Sequence, residues 1–196
     1  MRRPFDLHRS ERGITLIELL VATSVLALVI LIVILILTSS SHAQAKTARR
    51  AFIQAGCREA VSLMSTELRQ AGADPSNPPV GVVAIVYGDS VKVHERSDLN
   101  GNGVIETAEP SEDVTYNYDP VAQAITRDPG AGPAVILDKV TGFVLSYYDV
   151  NNNPLTALPL SAADAAAVHA IGLSVTSVDQ DSHPITITTR ITLRNR

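Results

Sequence analysis

Gly13-Ile14-Thr15-Leu16-Ile17-Glu18-Leu19-Leu20-Val21-Ala22 opens a run in which, between residues 14 and 37, only Thr15, Glu18, Thr23 and Ser24 are polar. The run holds neither Pro nor Gly. Wound as a helix at about 1.5 Å per residue it extends roughly 36 Å, enough to cross a hydrocarbon layer of about 30 Å. Ahead of it, residues 1–13 carry Arg2, Arg3, Arg9 and Arg12 against Asp6 and Glu11, a charge of +2. The positive-inside bias then keeps this leader in the cytoplasm and sends the rest of the chain across. An ordinary secretory signal has a shorter apolar core and a small-residue cleavage site after it. Here the conspicuous small residue, Gly13, comes first. A plain signal anchor is the competing reading, and Glu18 weighs against it. A carboxylate inside a spanning helix costs up to about 3 kcal/mol at mid-bilayer, so such acids are kept where they have a partner or a task.

Working outward, the 196 residues are 45% hydrophobic, 18% charged and 4% aromatic, with a formal net charge of -4. The length allows one domain with an appendage and excludes a barrel enzyme or a two-domain nucleotide-binding enzyme. The mean hydropathy of +0.16 is high for a soluble domain, and the apolar run accounts for it. Mild acidity gives no reason to expect nucleic acid as a partner. The average conceals a division: the leader is +2, residues 44–72 are +3, and residues 73–196 are -8. With Cys57 alone, no disulfide can form within the chain and no cysteine cluster can hold zinc or iron-sulfur.

The leader, Gly13, the apolar run and the single acid Glu18 together resemble the class III signal of type IV prepilins and type II secretion pseudopilins. That resemblance implies cleavage between Gly13 and Ile14 by a membrane aspartyl prepilin peptidase and N-methylation of the new Ile14 terminus. It also implies packing of the apolar helix against other pilins in a filament core, under an inner-membrane assembly platform. Glu18 would there meet the terminal amine of a neighbouring subunit, and a desolvated ion pair of this kind enforces register. Many major pilins carry Pro where this chain has Leu35, and many close a C-terminal loop with a disulfide. Both features are missing from this sequence, which favours a minor pilin or a pseudopilin.

From residue 39 to 72 the chain stays free of Pro and becomes amphipathic. Ala45, Ala48, Phe52 and Ala55 recur at helical spacing, and after a slip near Gly56 the stripe continues through Cys57, Val61, Met64, Leu68 and Ala71. Lys46, Arg49, Arg50, Arg58, Glu59, Glu67 and Arg69 are placed on the other faces. Gly72 ends the helix ahead of Pro75, Pro78 and Pro79. Gly56 is the expected weak point. The end of this segment, Glu67-Leu68-Arg69-Gln70-Ala71-Gly72, is similar to PilW-type minor pilins and to J-type pseudopilins.

Beyond Pro79 the period changes to two. Strands are expected at 80–87 and 90–96, joined by a two-residue Gly88-Asp89 turn, and at 113–118, 123–127, 134–137, 140–149, 170–178 and 184–193. In the last of these Ile185, Ile187, Thr189, Ile191 and Leu193 share one face. Ser161 with Asp164 reads as a capping pair opening a short Ala-rich helix. Asn151, Asn152 and Asn153 mark a hairpin turn. The fold class is therefore α+β and type IV pilin-like: a leader (1–13), a membrane or filament-core helix (14–37), an amphipathic continuation (38–72) and an antiparallel β head (73–196) covered by the helix.

One loop carries coordination chemistry. Residues 98–109 satisfy D-x-[DN]-x-[DN]-G-x₅-E, with Asp98, Asn100, Asn102 and Glu109 at side-chain ligand positions and Gly103 at the turn. Calcium takes about 6 to 8 oxygens, which Asp98, Asn100, Asn102, the Val104 carbonyl, Glu106 and Glu109 can supply. Pro110 stops an ordinary exiting helix, so the loop is EF-like within a β setting, with Glu112 or Asp113 as alternative last ligands. The competing reading is an Asn/Gly-rich surface turn. His8, His42, His94, His169 and His183 are scattered, and no catalytic motif stands out. The expected role is a structural subunit of a pilus or pseudopilus, not an enzyme.

Overall fold

The computed structural model describes residues 14–107, 112–179 and 183–195. One helix, α1, runs Leu16–Gln70 without interruption. Gly56 lies inside it and does not break it, because the i→i−4 ladder continues on both sides. The chain divides into two compact units, Met1–Ala48 and Arg49–Arg196. In the first, the large apolar residues of α1 from Leu16 to Leu37 are between 48% and 82% exposed. This stretch has the length and composition to cross a membrane.

In the second unit the stripe of the helix is buried as its spacing predicts, at Cys57, Val61, Met64, Leu68 and Ala71. The earlier part behaves differently. Ala45, Ala48 and Ala55 are exposed, and Phe52 is 81% exposed. Glu67 also departs from expectation: it lies in the buried stripe, not on a solvated face. Gly72 ends the helix at φ +76, a conformation that a side chain disfavours, and a Cβ there would meet the Ala84 Cβ at 2.9 Å. The chain's C-terminal segment completes that end. Arg194 N–H donates to the Arg69 carbonyl at 3.3 Å and the Asn195 amide to the Gln70 carbonyl at 3.3 Å, satisfying carbonyls the helix leaves open.

The head strands form two antiparallel sheets. The first, in order, is β1 (Ile85–Gly88), β2 (Lys92–Arg96), β3 (Asp113–Asp119), β4 (Ala124–Asp128) and β5 (Ala134–Leu137). The second is β7 (Pro154–Leu155), β6 (Val140–Tyr148), β8 (Ala170–Val178) and β9 (Pro184–Thr192). Alternation decides which side chains point inward. Val93 opposes Tyr116 and Glu95 opposes Val114 in one sheet, while Leu145 opposes Leu173 and Ile171 opposes Ile191 in the other. These residues are all buried. The sheets are tied together where the Tyr118 and Phe143 rings meet at 5.8 Å and the Tyr118 hydroxyl donates to the Val140 carbonyl at 3.0 Å. Between β7 and β8, α2 (Ala162–Ala167) is capped by Ser161, whose Oγ accepts the Asp164 N–H at 3.1 Å.

The first hairpin is shorter than its alternation implies. Residues 80–84 are not strand, because the Asp74 carboxylate takes the N–H groups of Gly81 (2.7 Å) and Val82 (3.4 Å) that a ladder would need. The turn is also displaced. Gly88 belongs to β1, and the Asp89 carboxylate closes a loop of residues 89–91 by accepting the N–H groups of Val91 and Lys92.

Candidate functional site

At the start of the chain the helix boundary is set by Thr15. Its carbonyl accepts the Leu19 N–H at 3.1 Å, the first bond of the ladder, and its Oγ1 accepts the Glu18 N–H at 3.3 Å. Thr15 is thus the N-cap, and Glu18 stands three positions later, in the first turn. A negative charge there meets the positive end of the helix dipole, which offsets part of the cost of carrying an acid in an apolar segment. Ile14 precedes the helix and is 76% exposed. Gly13 lies outside the described residues.

The loop after β2 draws several expected ligands together. The Asp98 carboxylate is buried and accepts N–H groups from Gly101 (2.7 Å) and Gly103 (2.8 Å). The Asn100 Oδ1 accepts from Asn102 N–H at 2.9 Å, and the Asn102 Oδ1 from Val104 N–H at 2.7 Å. Both asparagine amides donate to the Glu106 carboxylate, that of Asn100 at 3.0 Å. Gly103 sits at φ +80, the left-handed conformation its turn requires.

Glu109 lies outside the described residues. Of the two alternatives, Glu112 enters this loop: it is 2% exposed and accepts from Leu99 and Asn100 at 3.1 and 3.2 Å and from Glu106 N–H at 3.2 Å. Asp113 is directed elsewhere, pairing with His94 and with Arg96 at 3.1 Å. The donor set is oxygen throughout, and it leans on asparagine. Among the described residues no three His, Cys, Asp or Glu converge as a metal set. Val104 is 58% exposed.

A third cluster joins α1 to β3 and β4. The Glu67 carboxylate receives the Arg127 guanidinium, Nη2 at 2.7 Å and Nε at 2.9 Å, together with the Tyr116 hydroxyl. The hydrogen bond and charge of Glu67 hold the Arg127 pKa up, and burial pushes the Tyr116 hydroxyl up, with Glu67 adding to it. Glu95 lies within electrostatic reach, fully buried, and neither of its carboxyl oxygens has a hydrogen-bond partner among the described residues. Burial, then repulsion from Glu67, lifts its pKa to about 9, so it is a neutral acid at pH 7. A signal for Glu67 existed in the sequence. It is three residues after Met64 and four before Ala71, squarely on the buried stripe.

A long N-terminal apolar helix followed by an antiparallel β head is the type IV pilin-like α+β class. Residues 8–37 match the family described as the prokaryotic N-terminal methylation motif. The match covers the end of the leader from His8, together with Gly13, Ile14 and Glu18, and it supports a type IV pilin or pseudopilin family member, a structural subunit whose apolar helix fits a membrane anchor. No curated protein matches the chain.

Proposed function

We propose that the chain is a minor pilin precursor of the PilW-like kind. It is cut between Gly13 and Ile14 by prepilin peptidase, N-methylated at Ile14, and held in the bacterial inner membrane with its head outside the cytoplasm. An assembly platform then moves it into a type IV pilus or its initiating tip, where its helix packs with other pilins. The observation that carries the reading is the register of leader, Gly13, apolar helix and Glu18, with Glu18 in the first turn of a helix whose N-terminal part has no cover of its own. A J-type pseudopilin of a type II secretion system is the second reading. Leu35 in place of Pro and the single Cys57 favour both over a major subunit. Purified surface filaments should contain the wild-type chain, whereas Glu18→Ala should remain in the membrane fraction. Equal incorporation of that variant would refute the role given to Glu18. Neighbouring pilus genes or secretion genes separate the two readings.

We further propose that the 98–109 loop holds Ca²⁺ through Asp98, Asn100, Asn102, the Val104 carbonyl, Glu106 and Glu109, with Glu112 as the alternative closing acid. The spacing supports it, and so does the loop's bonding. Backbone N–H groups fix the oxygens of Asp98, Asn100 and Asn102, and each bonded oxygen keeps a further lone pair for an ion. An affinity of about 10⁻⁴ to 10⁻³ M is expected of an exported module, which suits a staple for the head. Millimolar Ca²⁺ should raise the melting temperature of the full chain in detergent micelles, and Asp98→Asn should abolish the rise. An unchanged melting temperature on adding Ca²⁺ to the wild type would refute calcium.

A further inference from the structure

The loop after β2 holds the only asparagines in the sequence that precede glycine, Asn100-Gly101 and Asn102-Gly103. The side-chain amide of an asparagine can be attacked by the backbone nitrogen of the next residue, which closes a cyclic imide and expels ammonia. A folded chain permits this where that nitrogen can lose its proton, the side-chain carbonyl is polarised and the next residue does not obstruct the ring. Inside a helix or strand the first condition fails, because the N–H is committed to a neutral carbonyl.

The loop meets all of these conditions at both asparagines. Residues 98–107 form neither helix nor strand. Gly101 N–H donates to Asp98 Oδ1 at 2.7 Å and Gly103 N–H to Asp98 Oδ2 at 2.8 Å, so each attacking nitrogen faces a carboxylate able to take its proton. Asn100 Oδ1 accepts the Asn102 N–H at 2.9 Å, and Asn102 Oδ1 accepts the Val104 N–H at 2.7 Å. Those oxygens gain negative charge when Cγ is attacked, and the donors are already in place. Each Nδ2 donates to the Glu106 carboxylate, which fixes which end of the amide leaves. Glycine brings no Cβ beside the new ring, and both asparagines are exposed, so water reaches the imide.

We propose that Asn100 and Asn102 are sites of spontaneous deamidation, with Asp98 as the proton acceptor and the loop's N–H groups as oxyanion donors. At Asn100, the Gly101 nitrogen gives its proton to Asp98 and bonds to Cγ. The Cγ–Nδ2 bond then breaks, and Nδ2 leaves as ammonia with a proton relayed from Asp98 through water. Water next opens the imide at either carbonyl, and the new acid, aspartate or isoaspartate, releases a proton to solvent. The same steps serve Asn102 with Gly103. Calcium takes no part in this chemistry. Each conversion adds a negative charge to the loop and removes one amide donor from Glu106. The turn at Asn151, Asn152 and Asn153 provides a contrast within the chain. All of these residues are exposed, yet Asn151 and Asn152 precede residues with a side chain, and Asn153 precedes Pro154, which has no N–H.

The test ages the full chain in detergent micelles at physiological pH and temperature with a chelator present, and follows it by peptide mass spectrometry and ammonia release. Conversion should map to Asn100 and Asn102 and spare Asn151 and Asn152. It should run about tenfold faster in the folded chain than in the same chain in concentrated guanidinium. Asp98→Asn should slow the folded chain by about tenfold and leave the rate in guanidinium unchanged. Intact Asn100 and Asn102 in the aged folded chain, or slower conversion there than in guanidinium, would overturn the proposal. A wild-type rate in folded Asp98→Asn would overturn the part given to Asp98.

Discussion

The two halves of α1 are one helix in two solvents. In the first compact unit Leu16, Leu26 and Leu31 are 82%, 58% and 54% exposed, an arrangement that water would penalise and that lipid or other helices would favour. In the second, Met64 and Leu68 are completely buried under the sheets. Apolar content already sets these halves apart, the first apolar from residue 14 to 37 but for Thr15, Glu18, Thr23 and Ser24 and the second amphipathic, yet the more apolar half is the exposed one. The more exposed half is also the one that carries a lone acid near its start. The helix is therefore built so that one part is complete when the head folds and the other is complete only in an assembly or a bilayer.

The sharpest way to break this contrast is at Glu67. Glu67→Ala leaves Arg127 and Tyr116 without their carboxylate in a mostly buried site, and should cost the head about 3 to 5 kcal/mol of stability in chemical denaturation. Glu59→Ala, on the exposed face of the same helix, should cost less than about 0.5 kcal/mol. The same pairing holds for apolar residues. Leu68→Ala should cost about 2 to 5 kcal/mol, whereas Leu31→Ala should leave unfolding of the head unchanged.

The pH dependence is a subtler probe. Glu95 is raised from an ordinary carboxylate value to about 9. The folded head therefore keeps a proton that the unfolded chain releases above about pH 4.5. Its contribution to stability falls as pH rises from there toward 9, by up to about 1.4 kcal/mol per pH unit, and is greatest at the acid end. Glu95→Gln should flatten that slope in denaturation curves taken between pH 5 and 8, making the variant the more stable at the upper end. An unaltered slope would show that Glu95 does not titrate this way. The smallest effect expected is at α2, where Ser161→Ala should cost about 1 kcal/mol through loss of the cap.

Much of this organisation was legible in the sequence because it rests on local pattern. The apolar run, the stripe from Cys57 to Ala71, the Ser161 cap and the later strands each follow from spacing alone. The division of the strands into two sheets did not, since alternation tells a strand which side faces the core but not which strand lies beside it. Residues 80–84 alternate like a strand, yet Asp74 captures the amides of Gly81 and Val82, a competition between side chain and ladder that periodicity cannot register. Equating charge with exposure puts Glu67 on the wrong face of the helix. Its spacing was correct, but Tyr116 and Arg127, 49 and 60 residues further on, are what make burial tolerable. In the 98–109 loop the ligand spacing was visible, whereas the insertion of Glu112 depends on how β3 returns past β2.

The central claim is that the uncovered half of α1 becomes a filament helix after its leader is removed. Mass spectrometry of the N-terminus of the membrane-bound chain, from cells that possess prepilin peptidase, tests it most directly. The account predicts a chain beginning at N-methylated Ile14; a chain that still carries residues 1–13 in those cells would contradict it.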